Sequence, residues 1–251
     1  YGTKLVETAD KKIRLTAAAE QLRTAMTTLA NDELALASRL RSHHAGGRKL
    51  SIGVTLTIGE FVIARPLSRY IREHADSEIR IIITNTKELL DKLQSGEIQM
   101  ALVEGYFDSD TFDAGLYRSE RFIPVAAAGY PFTGRPEKLQ DLFSERLFVR
   151  EKGSGTREVL EKSLAARGFG IADFSALTEI NSIYTIIQFI KEGGGISFLY
   201  EPAVREEIRN GHLEEIRLTD FLAFHDFNFI WNKGSMYREE YEQISRELSS
   251  G

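Results

Sequence analysis

The strongest chemical signal in this sequence is Gly153-Ser154-Gly155-Thr156-Arg157, set between an apolar run ending at Arg150 and a segment of helical spacing. Glycines let successive backbone N–H groups converge on one point, and the start of a helix adds partial positive charge there. Ser154 and Thr156 supply hydroxyls, and Arg157 a planar guanidinium suited to carboxylate, sulfate or phosphate. The chemistry indicated is anion recognition. The plainer reading makes Ser154 or Thr156 a helix cap and Arg157 half of a surface ion pair. No Gly-Lys-Thr/Ser ending follows, so the loop is not of the nucleotide-binding P-loop kind.

A second group of polar residues falls where apolar runs end: Thr55-Leu56-Thr57, Asn85-Thr86, Glu104-Gly105, Asn181-Ser182 and Tyr200. In open α/β sheets ligands bind at the carboxyl ends of strands. Each of these residues serves equally well as a cap, but together they outline one cleft. Signals for catalysis are poor. The five histidines have no metal-ligand spacing with a carboxylate on one helix face, and no serine sits in a Gly-x-Ser-x-Gly elbow. Gly168-Phe169-Gly170 lacks the third glycine and the preceding strand of a dinucleotide site. The sequence calls for no catalytic residue, no metal and no cofactor.

The elements that would position these residues alternate. Strands are expected at 49–54, 78–84 and 98–103, with helices at 58–73 and 87–95 between them. The pattern then recurs. Strands are expected at 122–128, 146–150, 176–180, 196–199, 213–218 and 227–231, and helices at 139–142, 156–167, 182–192, 204–209 and 237–248. The fold class read from this is α/β, with two doubly wound lobes.

Ahead of the lobes, Thr16 is a good N-cap, and Leu15, Leu22, Leu29 and Leu36 recur every seven residues. Ala19, Met26, Glu33 and Leu40 fall four residues after each, completing a heptad seam. The helix would close at His43-His44, with Gly46-Gly47 as a hinge. An amphipathic helix packed on its own domain is the alternative to a helix that pairs between subunits.

Composition narrows the class. The chain has 251 residues, 42% hydrophobic and 27% charged, with a net charge of −5. The body as a whole is therefore no nucleic-acid binder, and DNA contact would need a local basic patch. The absence of cysteine excludes a disulfide framework, a thiolate metal site and a cysteine nucleophile. No apolar run approaches the roughly 18 residues of a membrane span, and no signal-peptide pattern opens the chain. The expected location is cytoplasmic, with no membrane partner.

In order and spacing, several stretches together resemble a LysR-type transcriptional regulator over essentially the whole length. They are Leu5-Val6-Glu7, Lys11-Lys12-Ile13-Arg14, the run from Leu15 to Glu20, Leu50-Ser51-Ile52-Gly53-Val54, the entry from Gly96 to Val103, and Gly193-Gly194-Gly195-Ile196-Ser197-Phe198-Leu199. The run Leu15-Thr16-Ala17-Ala18-Ala19-Glu20 is similar to the family's "LTxAGE" entry into its linker helix. Ala19 stands for the usual glycine, Gln99 for a common aspartate, and a customary proline is missing near Asp76.

The resemblance implies a winged helix-turn-helix that reads DNA, a linker helix that dimerises, and a periplasmic-binding-protein-like effector domain of two lobes. The helix-turn-helix is not in this sequence, and Tyr1 would lie just past its recognition helix. Residues 1–15 would be the rest of the wing, 16–47 the linker helix and hinge, 48–124 with 222–251 lobe I, and 125–221 lobe II. Lys4, Lys11, Lys12 and Arg14 would contact the DNA backbone, and Leu15, Leu22, Met26, Leu29 and Leu36 would pair a homodimer or homotetramer. The glycine–serine turn resembles that of a subgroup responding to phosphorylated or otherwise anionic metabolites. Ser154, Thr156 and Arg157 would then hold the charged end of a small effector, with Thr55, Thr57 and Asn85 facing it. Binding would shift the angle between the lobes. A solute-binding protein of a transport system is the alternative on the same architecture. The leucine heptad argues against it.

Overall fold

The computed structural model describes residues 1–9, 12–42 and 49–250. The expected hinge at Gly46-Gly47, the His43-His44 helix end and the proposed phosphate contact Lys11 lie outside the described residues. The chain opens with an antiparallel hairpin of β1 (Val6–Ala9) and β2 (Lys12–Leu15), which pairs Val6 with Leu15 and Glu7 with Arg14. Leu15 is thus a strand residue and not the first leucine of the helix. Thr16 separates the two elements. Its hydroxyl donates to Lys4 O at 2.8 Å and accepts from Ala19 N at 3.2 Å, the cap that starts α1 (Ala17–Ser42).

The body follows as β3 (Lys49–Thr55), α2 (Leu56–Phe61), α3 (Ala64–Glu73), β4 (Glu78–Thr84), α4 (Thr86–Gln94), β5 (Met100–Val103) and β6 (Phe112–Ala127). Then come β7 (Arg146–Val149), α5 (Gly155–Ala165), β8 (Ala176–Glu179), α6 (Ile183–Lys191), β9 (Ile196–Tyr200), α7 (Glu201–Arg209), β10 (Leu213–Glu215), β11 (Ala223–Asn232) and α8 (Arg238–Ser249). The helix expected at 58–73 is two helices. Pro66 has no N–H to give and its ring would strike the carbonyl of Val62, so the break falls at Val62-Ile63 and Pro66 sits in the first turn of α3.

Nine strands form one sheet in the order β4-β3-β5-β11-β6-β9-β7-β8, with β10 added on β6. The trios β4-β3-β5 and β9-β7-β8 are each parallel. Between them β11 runs antiparallel to both β5 and β6, and β6 antiparallel to β9. Two parallel lobes therefore share two long strands. Both strands begin earlier than the apolar runs suggest. Residues 112–121 of β6 lack a clean polar–apolar alternation and carry Arg118, Glu120 and Arg121, which hides a strand whose pairing with β11 is long-range. The core runs along these strands, from Ile52, Val54 and Leu102 to Phe198, Tyr200, Phe227, Phe229 and Trp231. Among the described residues, no helix is long and apolar enough to cross a membrane.

Helix α1 docks on this body through polar side chains. Thr28 Oγ1 donates to Lys233 O at 3.0 Å, and Asn31 Nδ2 to Leu93 O and Gln94 O at 3.0 Å. Asp32 accepts from Ser235 Oγ at 2.6 Å and from Met236 N at 2.7 Å. The apolar seam faces away, with Met26 53%, Leu29 62% and Leu36 42% exposed. Asp32→Ala would strand one buried and one part-buried donor, and should cost about 1–3 kcal/mol in denaturant unfolding and speed hydrogen exchange at the Met236 amide.

Candidate functional site

The carboxyl ends of β3 and β5 in one lobe meet the start of α5 in the other around a single carboxylate, that of Glu104. It is 1% exposed. Thr55 Oγ1 donates to its Oε2, and Thr57 Oγ1 and Thr156 Oγ1 each donate to its Oε1 at 3.0 Å. The hydroxyls of Thr57 and Thr156 lie 3.3 Å apart across the lobe boundary. The local sequence explains the aim. Thr55 ends β3 in extended geometry at the N-cap position of α2, yet makes no side-chain cap, so its hydroxyl is free for Glu104. Thr86, first in α4, donates to Glu104 O at 2.9 Å.

Two glycines permit this approach. A Cβ on Gly155 would stand 2.1 Å from Glu104 O and 2.6 Å from Thr86 Oγ1, and one on Gly105 would stand 2.7 Å from Gly155 Cα. Gly105 also has φ +102°, which side-chain-bearing residues rarely adopt. The lobes touch backbone to backbone here, and Lys87 N donates to Gly153 O at 3.1 Å.

Not every expected residue joins this cluster. Asn85 and Ser182 cap their helices, accepting from Glu88 N at 3.0 Å and Thr185 N at 3.2 Å, and Asn181 is exposed beside Ser182. Leu56 packs against the apolar cluster of the opposite lobe. Ser154 is buried at the N-cap of α5 without a side-chain cap bond. Arg157 is placed elsewhere. Its guanidinium donates to Glu161 Oε1 at 2.7 Å, to Arg150 O at 3.1 Å and to Glu179, so its own lobe engages the cation expected to hold an anion.

The sequence reading missed Arg150, directly after β7. Its guanidinium is buried; Nε and Nη2 donate to Glu151 at 2.8 and 2.9 Å, and Nη1 is buried with no hydrogen-bond partner. A cation ending the apolar run Leu147-Phe148-Val149 was the available signal. Tyr200, also buried, has a hydroxyl without a partner. Burial above all, then Glu104 and Tyr106, raise its pKa well above the ordinary value.

Beside the cluster, Tyr106 packs at a tilt against His225 with centroids 4.9 Å apart, and Lys162 Nζ lies 3.2 Å from the Tyr106 ring centroid. Neither Lys162 nor His225 stood out in the sequence as a contact. Burial is the main cause that lowers the His225 pKa. For Glu104, burial raises the pKa from 4.5, while the three hydroxyls and Arg150 pull the other way. Hydroxyl donors alone do not compensate a walled-off charge. Among the described residues no group of three or more His, Asp or Glu side chains is arranged to hold a metal.

Two lobes sharing two strands, with polar groups converging at facing strand ends, define a ligand-binding domain of the periplasmic-binding-protein kind. The chain belongs to the LysR family, and residues 43–248 match its LysR substrate binding domain. Among curated relatives, the HTH-type transcriptional regulator CysL of Bacillus subtilis (strain 168) is 24% identical over 199 residues, 79% of this chain and 66% of that protein. CbbR of Xanthobacter flavus, also named an HTH-type transcriptional regulator, is 27% identical over 223 residues, 86% of this chain and 65% of that protein. The chain thus spans about two thirds of the length of these relatives. Among solved structures, a Corynebacterium glutamicum OxyR mutant superposes with a TM-score of 0.70 at 25% identity, over 99% of this chain and 77% of that one. The regulatory domain of Synechocystis CcmR, solved in complex with 2-PG, shares the fold with a TM-score of 0.69 at 20% identity, over 81% of this chain and 98% of that one. The named relatives are regulators and not transport receptors.

A folded carboxyl that keeps its proton above the ordinary carboxylate range stabilises the native state most at low pH. That contribution is fully present below the unfolded pKa of 4.5 and is lost as pH rises through the folded value. Glu104→Gln should therefore raise Tm at pH 8, with the advantage narrowing towards pH 5. An equal shift at both values would refute the assignment.

Proposed function

We propose that this chain is the linker helix and effector-binding region of a LysR-type transcriptional regulator, and that it takes a small oxyanionic effector between its lobes. The observation that carries the reading is the pair of buried, unpartnered donors, Arg150 Nη1 and Tyr200 Oη, beside the hydroxyls of Thr55, Thr57 and Thr156. Buried donors without partners are rare in folded proteins and call for an acceptor. The charged end of the effector then belongs on Arg150, in place of Arg157. The complex of CcmR with 2-PG, an effector-domain relative in fold, is in keeping with a small ligand on this architecture.

Lobe I is taken as residues 48–124 with 222–251, and lobe II as 125–221. An effector held by Thr55 and Thr57 on one side and by Arg150, Thr156 and Tyr200 on the other favours one inter-lobe angle over others. Helix α4 offers the route outward. Thr86 at its start bonds Glu104 O, and Leu93 and Gln94 at its end accept from Asn31 of α1. The exposed Lys4, Lys12 and Arg14 of the hairpin suit contact with a DNA backbone, and sequence readout falls to a helix-turn-helix head. The outward Met26, Leu29, Leu36 and Leu40 suit pairing with a second copy.

Thermal unfolding with sulfate, phosphate, sugar phosphates, dicarboxylates and aromatic acids tests the effector reading. One class should raise Tm, by the equivalent of about 2.7 kcal/mol at a hundred times its Kd. The rise should vanish in Arg150→Gln and shrink in Tyr200→Phe; a rise untouched by both would refute this site. Pairing is tested apart from the ligand. Leu29→Glu with Leu36→Glu should leave the fold intact by circular dichroism and shift sedimentation to the monomer.

A further inference from the structure

The cluster around Glu104 holds a conflict that an oxyanion would have to resolve. An ionised carboxylate only accepts hydrogen bonds, and here it takes all three neighbouring hydroxyls, those of Thr55, Thr57 and Thr156. With those donors engaged, the buried donors left without a partner around Glu104 include Arg150 Nη1 and Tyr200 Oη. It would also bring a second negative charge into a dry site served by one guanidinium, two of whose nitrogens already serve Glu151. Two anions so close and so buried repel strongly.

A proton on Glu104 removes both obstacles. The neutral acid needs fewer donors, so a hydroxyl of the Thr57–Thr156 pair can turn towards the ligand, and its own O–H becomes a further donor. The charged and titratable groups facing the carboxyl are few. Arg150 lies just past the end of β7 and Tyr200 at the end of β9, and Tyr106 acts in turn on Tyr200. Glu60 of α2 and Glu151 face the same guanidinium from either side.

We propose that the inter-lobe cleft binds an oxyanion together with one proton, taken from solvent onto the Glu104 carboxyl, so that effector affinity is set by pH through this one residue. The inference rests on the oxyanion reading above. It makes the site respond to acidity as well as to the effector.

Sulfate is the probe, because it does not itself titrate near neutrality. Calorimetric titration of the unmodified chain, from pH 4.5 upwards as far as it stays folded, should show affinity falling by up to about tenfold per pH unit above the point where Glu104 loses its proton. Repeating one pH in two buffers of different ionisation enthalpy should reveal uptake of up to one proton per sulfate bound. Glu104→Gln, a permanent stand-in for the neutral acid, should bind sulfate with an affinity independent of pH and take up no proton. Sulfate binding with no pH dependence and no proton uptake in the unmodified chain overturns this proposal and leaves the effector reading standing. A slope that survives in Glu104→Gln also overturns it and transfers the titration to His225, whose ring packs on Tyr106. No sulfate binding at any pH, in a chain that also ignores the other oxyanions, removes both. Should Glu104→Gln fail to fold, the two-buffer measurement on the unmodified chain decides alone.

Discussion

A carboxyl group walled off from water must be matched by donors or give up its charge, and the two lobes of this chain meet over such a group. Glu104 is reached by Thr55 and Thr57 from its own lobe and by Thr156 from the other. The third hydroxyl, from the opposite lobe, can come so close because Gly105 and Gly155 leave no Cβ between the two backbones. The polar contacts and the bare backbone are one device. A side chain at Gly155 would push away Glu104 O, and with it Thr86 and the start of α4.

The shared strands β6 and β11 constrain any opening of that contact. They belong to both lobes, so a change of angle must be absorbed along them, and residue pairing already slips between Phe227 and Asn228, opposite Tyr117. A bulge of this kind adds twist and a place to bend. The contact of Lys162, Tyr106 and His225 joins α5, the loop after β5 and β11 beside the same boundary. Helix α1 is tied to lobe I by Thr28, Asn31 and Asp32, through the end of α4 and the turn after β11. Those bonds are the route by which the proposed change of angle would reach the helix.

Short-range chemistry was largely legible. Most body elements lie within a few residues of where periodicity and caps put them, because apolar spacing and turn residues act over one or two turns. Thr16, Asn85 and Ser182 are the caps their types suggest. The exceptions have physical causes. Pro66 splits one expected helix into two. The charged half of β6 carries no local sign that β11 will pair with it. Leu15 keeps the heptad spacing but is held in a hairpin by Val6.

Residue types, their order and their spacing determined by themselves the α/β class, the heptad helix, the family resemblance, and the presence of Thr55, Thr57, Glu104, Thr156 and Tyr200 at strand ends. Only the tertiary structure decided which of these converge, and which cation accompanies them. Arg157 suited either an anion or an ion pair, and the ion pairs with Glu161 and Glu179 are what forms; Arg150 looked like the end of a strand, yet it is buried with one nitrogen unpaired. The reason is distance along the chain. A hydrogen bond between residues 49 or 52 positions apart leaves no local pattern, because its partners are chosen by the packing of two lobes.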